Sequence, residues 1–170
     1  MDGPIVVVEG VDGSGGTTFA RRLAADFGMK YVHVGAPQRG RDVFEHHFAP
    51  VRWETGPTVV DRLHWSDDVY GAVLRGGPGM SDAEFSFIDG FLAARRGLIV
   101  VCCPPLETVI ENIELRPGHE NHDPGVATKV YAGYRVLLPR TLLPTVVYDY
   151  TRGEPEYRRV TTLVRSKTNG

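Results

Sequence analysis

Apolar residues fall along the chain in short, nearly continuous runs. Each run is followed by a turn and then by a stretch with apolar positions at helical spacing. Residues 4–9 (P-I-V-V-V-E) form the first run. A strand apolar on successive residues has both faces covered, the condition of a parallel strand inside a sheet. Residues 31–34, 57–60, 98–103 and 145–150 predict four more strands. Helical patterns run over 17–27, with Gly28 as the stop, and near 41–48, 64–75, 82–96, 105–115, 124–138 and 154–165. Strands alternating with helices imply right-handed βαβ crossovers. The expected fold is therefore α/β and three-layered, a five-stranded parallel sheet with helices on both faces. No repeat or linker interrupts it, so residues 1–170 read as a single domain. The polar, turn-rich stretch 116–125 (R-P-G-H-E-N-H-D-P-G) reads as a loop between two helices. In such a fold ligands bind beyond the carboxyl ends of the strands.

Composition narrows the classes. The chain is 42% hydrophobic and 24% charged, enough to bury a core. Lys plus Arg total 19 against 21 Asp plus Glu, a formal net charge of −2. That balance gives no support to a general nucleic-acid or membrane-surface partner, which needs a positive excess. No apolar run approaches membrane-spanning length, and residues 1–4 lead into the first strand without a basic segment, so no signal peptide is predicted. Cys102 and Cys103 are adjacent, lack metal-ligand spacing and read as buried strand thiols of a reducing cytoplasm. Only three of the 19 cations are Lys (Lys30, Lys129, Lys167). Codon usage explains that bias; so does phosphate recognition by the planar arginine fork.

The chemistry concentrates after the first strand. Gly10-Val11-Asp12-Gly13-Ser14-Gly15-Gly16-Thr17-Thr18 stands between a predicted strand and a predicted helix. That is the context of the phosphate-binding loop G-x-x-x-x-G-K-[ST]. Successive backbone N–H groups face a concavity there, and the helix N-terminus adds partial positive charge. Gly10, Gly13, Ser14, Gly15, Gly16, Thr17 and Thr18 are thus the candidate ATP phosphate binders, with Thr17 where the motif's hydroxyl meets Mg²⁺. Position 16 departs from the motif. Its lysine is replaced by Gly16, which carries no charge for a transferring phosphoryl group.

Two motifs together point to a family. Val8-Glu9-Gly10-Val11-Asp12-Gly13-Ser14-Gly15-Gly16-Thr17-Thr18 resembles the thymidylate kinase opening F-E-G-x-D-G-x-G-K-T-T, without its lysine. Asp61-Arg62-Leu63-His64-Trp65-Ser66-Asp67-Asp68-Val69-Tyr70-Gly71 resembles the same family's D-R-Y-x-x-S-x-x-A-Y-Q, and Arg75 falls at its following arginine. Gly35-Ala36-Pro37, Pro104-Pro105 and the V-Y-x-x-Y stretch at 130–134 are similar to the short thymidylate kinase-like proteins of bacteriophages. The resemblance covers nearly the whole chain; the segment between strands two and three is the part least like the family.

The resemblance implies a P-loop NTPase-type fold and transfer of the ATP γ-phosphoryl group to a deoxynucleoside monophosphate, dTMP or a modified pyrimidine. It implies Mg²⁺ and ATP as cofactors, small-molecule nucleotides as partners, a homodimer, and the host cytoplasm as the location if phage-encoded. Asp12 would meet the 3′-hydroxyl, and Asp61 would organise Mg²⁺ or its water shell. Arg62 and Arg75 would clamp the acceptor phosphate, and Tyr70 would pack on sugar or base. Stretch 116–125 would be a lid, with Arg116 its catalytic cation. Two other readings remain open here: a kinase of modified pyrimidines in phage DNA, and a nucleotide-binding protein without turnover. Trp65 reads as core; Phe44 and Phe48 could stack on a base. The pairs His46–His47 and His119–His122 raise the question of a metal; the second lacks a third partner at helical spacing and reads as solvated.

Overall fold

The computed structural model describes residues 3–115, 123–137, 141 and 143–168. Five parallel strands stand in the order β2-β3-β1-β4-β5. They are β1 (Ile5–Gly10), β2 (Lys30–His33), β3 (Thr58–Asp61), β4 (Leu98–Cys102) and β5 (Thr145–Tyr148). Among the described residues seven α-helices flank them: α1 (Gly16–Phe27), α2 (Val43–Arg52), α3 (His64–Leu74), α4 (Asp82–Ala94), α5 (Leu106–Glu114), α6 (Pro124–Leu137) and α7 (Glu154–Thr168). The expected α/β fold, with a five-stranded parallel sheet covered on both faces, is the one observed.

Side chains alternate across a strand, so the unbroken apolar runs divide between two cores. Ile5 and Val7 of β1 and Ile99 and Val101 of β4 face α2 to α6, where Trp65, Ile88, Leu92, Val109 and Val130 meet them. Val6, Val8, Leu98 and Val100 face α1 and α7, against Phe19, Leu23, Val160 and Val164. The central strand β1 is paired on both edges, Val6 opposite Val59 of β3 and opposite Leu98 of β4. The connection after β1 departs to one face, while those after β3 and β4 lead to helices on the other. The divergence opens a crevice at the carboxyl ends of these strands.

Several element ends differ from the expected ones for local reasons. Helix α2 starts at Val43, where the Asp42 side chain accepts from Glu45 N–H at 2.9 Å, and continues through Pro50 to Arg52. Proline in the last turn forfeits one helical bond, which packing of Val51 in the core offsets. Helix α4 opens on a reciprocal Ser81–Glu84 capping box and stops before Arg96, whose φ is +53°. β5 ends at Tyr148, because Asp149 caps a short 3₁₀ turn over Tyr150–Arg152. Cys103 is half-buried beyond the end of β4 rather than within the strand; Cys102 is buried in it. Trp65 is fully buried, as expected of core.

Among the described residues no helix is long and apolar enough to cross a membrane.

Candidate nucleotide-binding site

The loop between β1 and α1 floors a cleft of about 1090 Å³, at the upper end of small-molecule sites, which run roughly 300–1,000 Å³. The loop needs glycine at two positions in particular. Gly13 has φ +83°, and a Cβ there would lie 2.9 Å from the Val109 carbonyl oxygen. Gly15 has φ +82°, and its Cβ would lie 3.1 Å from the Tyr150 ring. Both conformations strain residues that carry a side chain. Gly16 is different. It is the first residue of α1, its φ is not positive, and a Cβ would meet only Val8 Cγ1 at 3.8 Å and Ser14 Oγ at 4.0 Å. Nothing steric demands glycine where the motif has lysine.

Two further side chains brace the loop from the opposite wall. Asn112 Nδ2 donates to the Gly13 carbonyl at 2.8 Å and to the Tyr150 hydroxyl at 2.8 Å. Ser14 is buried, whereas Thr17 and Thr18 at the start of α1 are exposed on the cleft wall.

The loop after β3 supplies the other half. Arg62 sits at φ +67°, a left-handed conformation costing a non-glycine residue about 1–2 kcal/mol. Its own N–H reaches the Val8 carbonyl at 2.8 Å, which fixes the turn. Its Nη2 then pairs with Asp12 Oδ1 at 2.5 Å, and its guanidinium lies 5.1 Å from the centre of the Tyr70 ring. The Tyr70 hydroxyl accepts from the Asp12 N–H at 2.9 Å. The Tyr70 hydroxyl thus braces the glycine-rich loop, while the residue lines the cleft. Arg75 is paired with the buried Asp67, whose other oxygen accepts from Gly79 N–H at 2.8 Å. Asp61 is buried at the end of β3. Its Oδ2 accepts from the Tyr31 hydroxyl at 2.7 Å and lies 3.1 Å from His33 Nδ1.

Beneath this arrangement lies Glu9, 1% exposed. Its Oε1 accepts from Leu63 N–H at 2.9 Å, and its Oε2 accepts from Ser66 at 2.6 Å and from Tyr134 at 3.2 Å. Burial raises its proton affinity above that of an ordinary carboxylate, opposed by these bonds and by the charges of His64 and Arg62.

The structure thus brings Asp12, Asp61, Arg62, Tyr70, Arg75 and the glycine-rich loop to one cleft. Arg116, the first seven residues of the expected lid and the His119–His122 pair lie outside the described residues. Phe44 and Phe48 are not on the cleft wall; they stack on each other at 5.4 Å and pack on Phe87 of α4. Among the described residues no three His, Cys, Asp or Glu side chains gather as a metal site. Sequence reasoning passed over Glu9, Asp67 and Asn112. An acid at the end of an otherwise apolar strand is the signal that marks Glu9; nothing local marks Asn112.

The architecture recurs in solved structures. The YorR protein from Bacillus subtilis, solved in complex with phosphorylated GDP, matches with a TM-score of 0.79 and 17% identity over 98% of each chain. Deoxyadenosine kinase from M. mycoides with bound dATP matches at TM-score 0.64 and 11% identity, over 95% of this chain and 99% of that one. The same kinase with bound dCTP gives 0.63 and 13%. At such identities the likeness establishes a shared fold and nothing finer. No protein-family model matches the chain, and no curated protein matches it.

Proposed function

We propose that the chain is a nucleoside monophosphate kinase that transfers the γ-phosphoryl group of ATP to the 5′-phosphate of a deoxynucleotide, dTMP or a modified pyrimidine dNMP. The observation that carries this reading is the pair of preset arginines. Arg62 and Arg75 are each held by a carboxylate, Asp12 and Asp67, on the wall of the cleft that the glycine-rich loop floors. Phosphoryl transfer needs little covalent work from a protein; positioning and charge neutralisation supply the catalysis. Guanidinium forks suit an acceptor phosphate, and preorganised ones avoid reorganisation at the moment of reaction.

In this reading the loop's N–H groups and the α1 N-terminus hold the donor phosphates. Arg62 and Arg75 hold the acceptor, with an oxygen of its phosphate in line with the γ-phosphorus. The bond to the β,γ-bridging oxygen breaks as the new P–O bond forms, releasing ADP and the nucleoside diphosphate. The Thr17 hydroxyl and the Asp61 carboxylate are the hard oxygen donors that fit Mg²⁺, directly or through its water. Both residues line the cleft, and among the described residues the hydrogen bonds of Asp61 fall on Oδ2, leaving Oδ1. Bound there, Mg²⁺ supplies charge neutralisation at the donor phosphates. An arginine covers part of the role of the missing lysine, Arg116 being the first candidate and Arg62 the second.

A second reading, nucleotide binding without turnover, is favoured by one observation: among the described residues no lysine lines the cleft. Incubation with ATP, Mg²⁺ and a panel of dNMPs decides between them. Formation of a dNDP that disappears in Arg116→Ala supports the kinase with a substituted cation. Tight ATP binding without transfer to any mononucleotide overturns it.

A further inference from the structure

Helix α2 carries the sequence F-E-H-H-F at 44–48, and its four ring-bearing positions are spent in three directions. Phe44 and Phe48 pack on α4, and His46 Nε2 bonds the Gly35 carbonyl at 2.8 Å. His47 turns inward, where it is 2% exposed and forms part of the cleft wall with Pro37, Asp67, Leu74 and Arg75.

Neither ring nitrogen of His47 has a hydrogen-bond partner. Buried polar atoms in that state forfeit the bonds they made in water, and native structures keep few of them. Among the described residues five buried side-chain atoms are so placed: the two of His47 and one each of Arg52, His64 and Trp65. Of these residues only His47 belongs to the cleft wall. Its polar neighbours there do not serve it. Asp67 is committed through both oxygens, one to Arg75 and one to Gly79. Of the other buried carboxylates of the cleft, Glu9 is engaged through both oxygens and Asp61 through Oδ2.

The ring is uncharged at neutral pH. Burial first, then the positive fields of His46, His64 and Arg75, lowers its pKa to about 3. A neutral imidazole offers one N–H donor and one lone pair. Such a group is a poor partner for phosphate, whose oxygens only accept, and Arg62 and Arg75 already supply the cations. It suits a nucleobase edge, where donors and acceptors alternate and apolar walls such as Pro37 and Leu74 are needed.

We propose that His47 reads the base of the bound nucleoside monophosphate, one of its ring nitrogens hydrogen-bonding the base edge in the arm between α2 and α3. The assignment rests on the kinase reading above and names the residue that gives it base selectivity. A site built to hydrogen-bond a substrate rejects analogues lacking the partner, because its own polar group is then left unpaired.

The test compares dissociation constants of dTMP, dCMP, dAMP, dGMP and 2-deoxyribose 5-phosphate for the parent and for His47→Phe, which keeps a ring without nitrogens. The parent is expected to bind its preferred dNMP at least tenfold more tightly than the abasic phosphate. His47→Phe is expected to erase that margin and leave abasic binding unchanged, and His47→Asn to restore part of it. Should His47→Phe keep the base preference, or weaken nucleotide and abasic phosphate equally, the proposal is overturned while the kinase reading stands. Should His47→Phe not fold, the ¹⁵N resonances of His47 in the parent decide. They shift with the preferred dNMP and not with the abasic phosphate if the proposal holds, and stay in place if it does not. A parent that binds none of the five overturns both readings.

Discussion

Arg62 Nη2 meets Asp12 Oδ1 at 2.5 Å, joining the loop after β3 to the loop after β1 across 50 residues of sequence. The two halves of the cleft are tied by charge before any ligand enters. Under the proposed function Arg62→Ala lowers dNDP formation by about 10²–10³-fold, the usual loss for one preorganised donor in a closed site. Arg62→Gly separates chemistry from folding. Glycine relieves the left-handed backbone while the ion pair is lost, so its unfolding free energy stays within about 1 kcal/mol of the parent. Steady-state dNDP assays beside denaturant melts check both; an active Arg62→Ala contradicts the assignment.

Gly16 is open to substitution in a way its neighbours are not. Gly16→Ala is expected to raise stability by about 0.5–1 kcal/mol, because glycine in a helix loses more chain entropy than alanine. Gly16→Lys gains the same entropy but sets a cation at a helix N-terminus, costing about 0.3–1 kcal/mol, so its stability returns near the parent's. Its transfer rate is expected to rise by about 10–100-fold as the missing charge is supplied. Thermal unfolding ranks the three proteins, and the dNDP assay ranks parent against lysine. A Gly16→Lys protein no faster than the parent shows that the charge is already present elsewhere.

Glu9 gives a pH signature. Its proton affinity is raised in the folded chain by burial, so the native state retains a proton that the unfolded chain has released above about its ordinary value of 4.5. The native state then binds more protons, and the contribution of Glu9 to stability falls as pH rises through that window. Glu9→Gln removes the dependence, since an amide still accepts from Leu63 N–H and can donate to Ser66 and Tyr134. Urea melts of both proteins from pH 4 to 8 are expected to show the Gln variant gaining on the parent as pH rises. A flat or inverted difference contradicts the placement of a raised carboxyl at Glu9.

Arg95 carries a different burden, at the end of the sheet away from the cleft. Its Nε and Nη2 donate to the Gly3 carbonyl at 3.1 and 2.9 Å, and its Nη1 donates to the Glu54 carbonyl. Arg95→Met keeps an apolar stem but strands both carbonyls in a buried setting. The expected loss is about 2–4 kcal/mol in chemical unfolding, with nucleotide binding of the surviving folded protein unaltered. A loss below about 0.5 kcal/mol shows that water takes over both acceptors.

What could be read from the sequence follows the range of the forces involved. The strands announce themselves because β1 and β4 are covered on both faces, and such burial demands consecutive Val and Ile. The glycine-rich loop is legible for a similar reason: left-handed turns at Gly13 and Gly15 leave a compositional mark. Pairings across long separations leave none. The bonds of Asn112 to Gly13, Tyr31 to Asp61 and Tyr134 to Glu9 depend on the register of the sheet and the seating of α6, which no local pattern records. The fate of Tyr70 belongs to the same class. Its ring position follows from helical spacing, but the engagement of its hydroxyl with the Asp12 N–H follows from how α3 lies on the sheet. The length of α2 was hidden by Pro50, which stops a helix on propensity alone but not one anchored by Val51.

The strand order carries a consequence for how the chain comes to be folded. β1 is made before both of its partners, which arrive with residues 58–61 and 98–102. A nascent chain that has not yet reached β4 therefore holds β1 with at least one edge unpaired, the kind of surface on which chains adhere to one another. Closure waits for β4, and parallel pairing at such separations is slow because loop entropy must be overcome before any contact rewards it. The central position that serves the cleft so well makes β1 the strand that waits longest for its second partner.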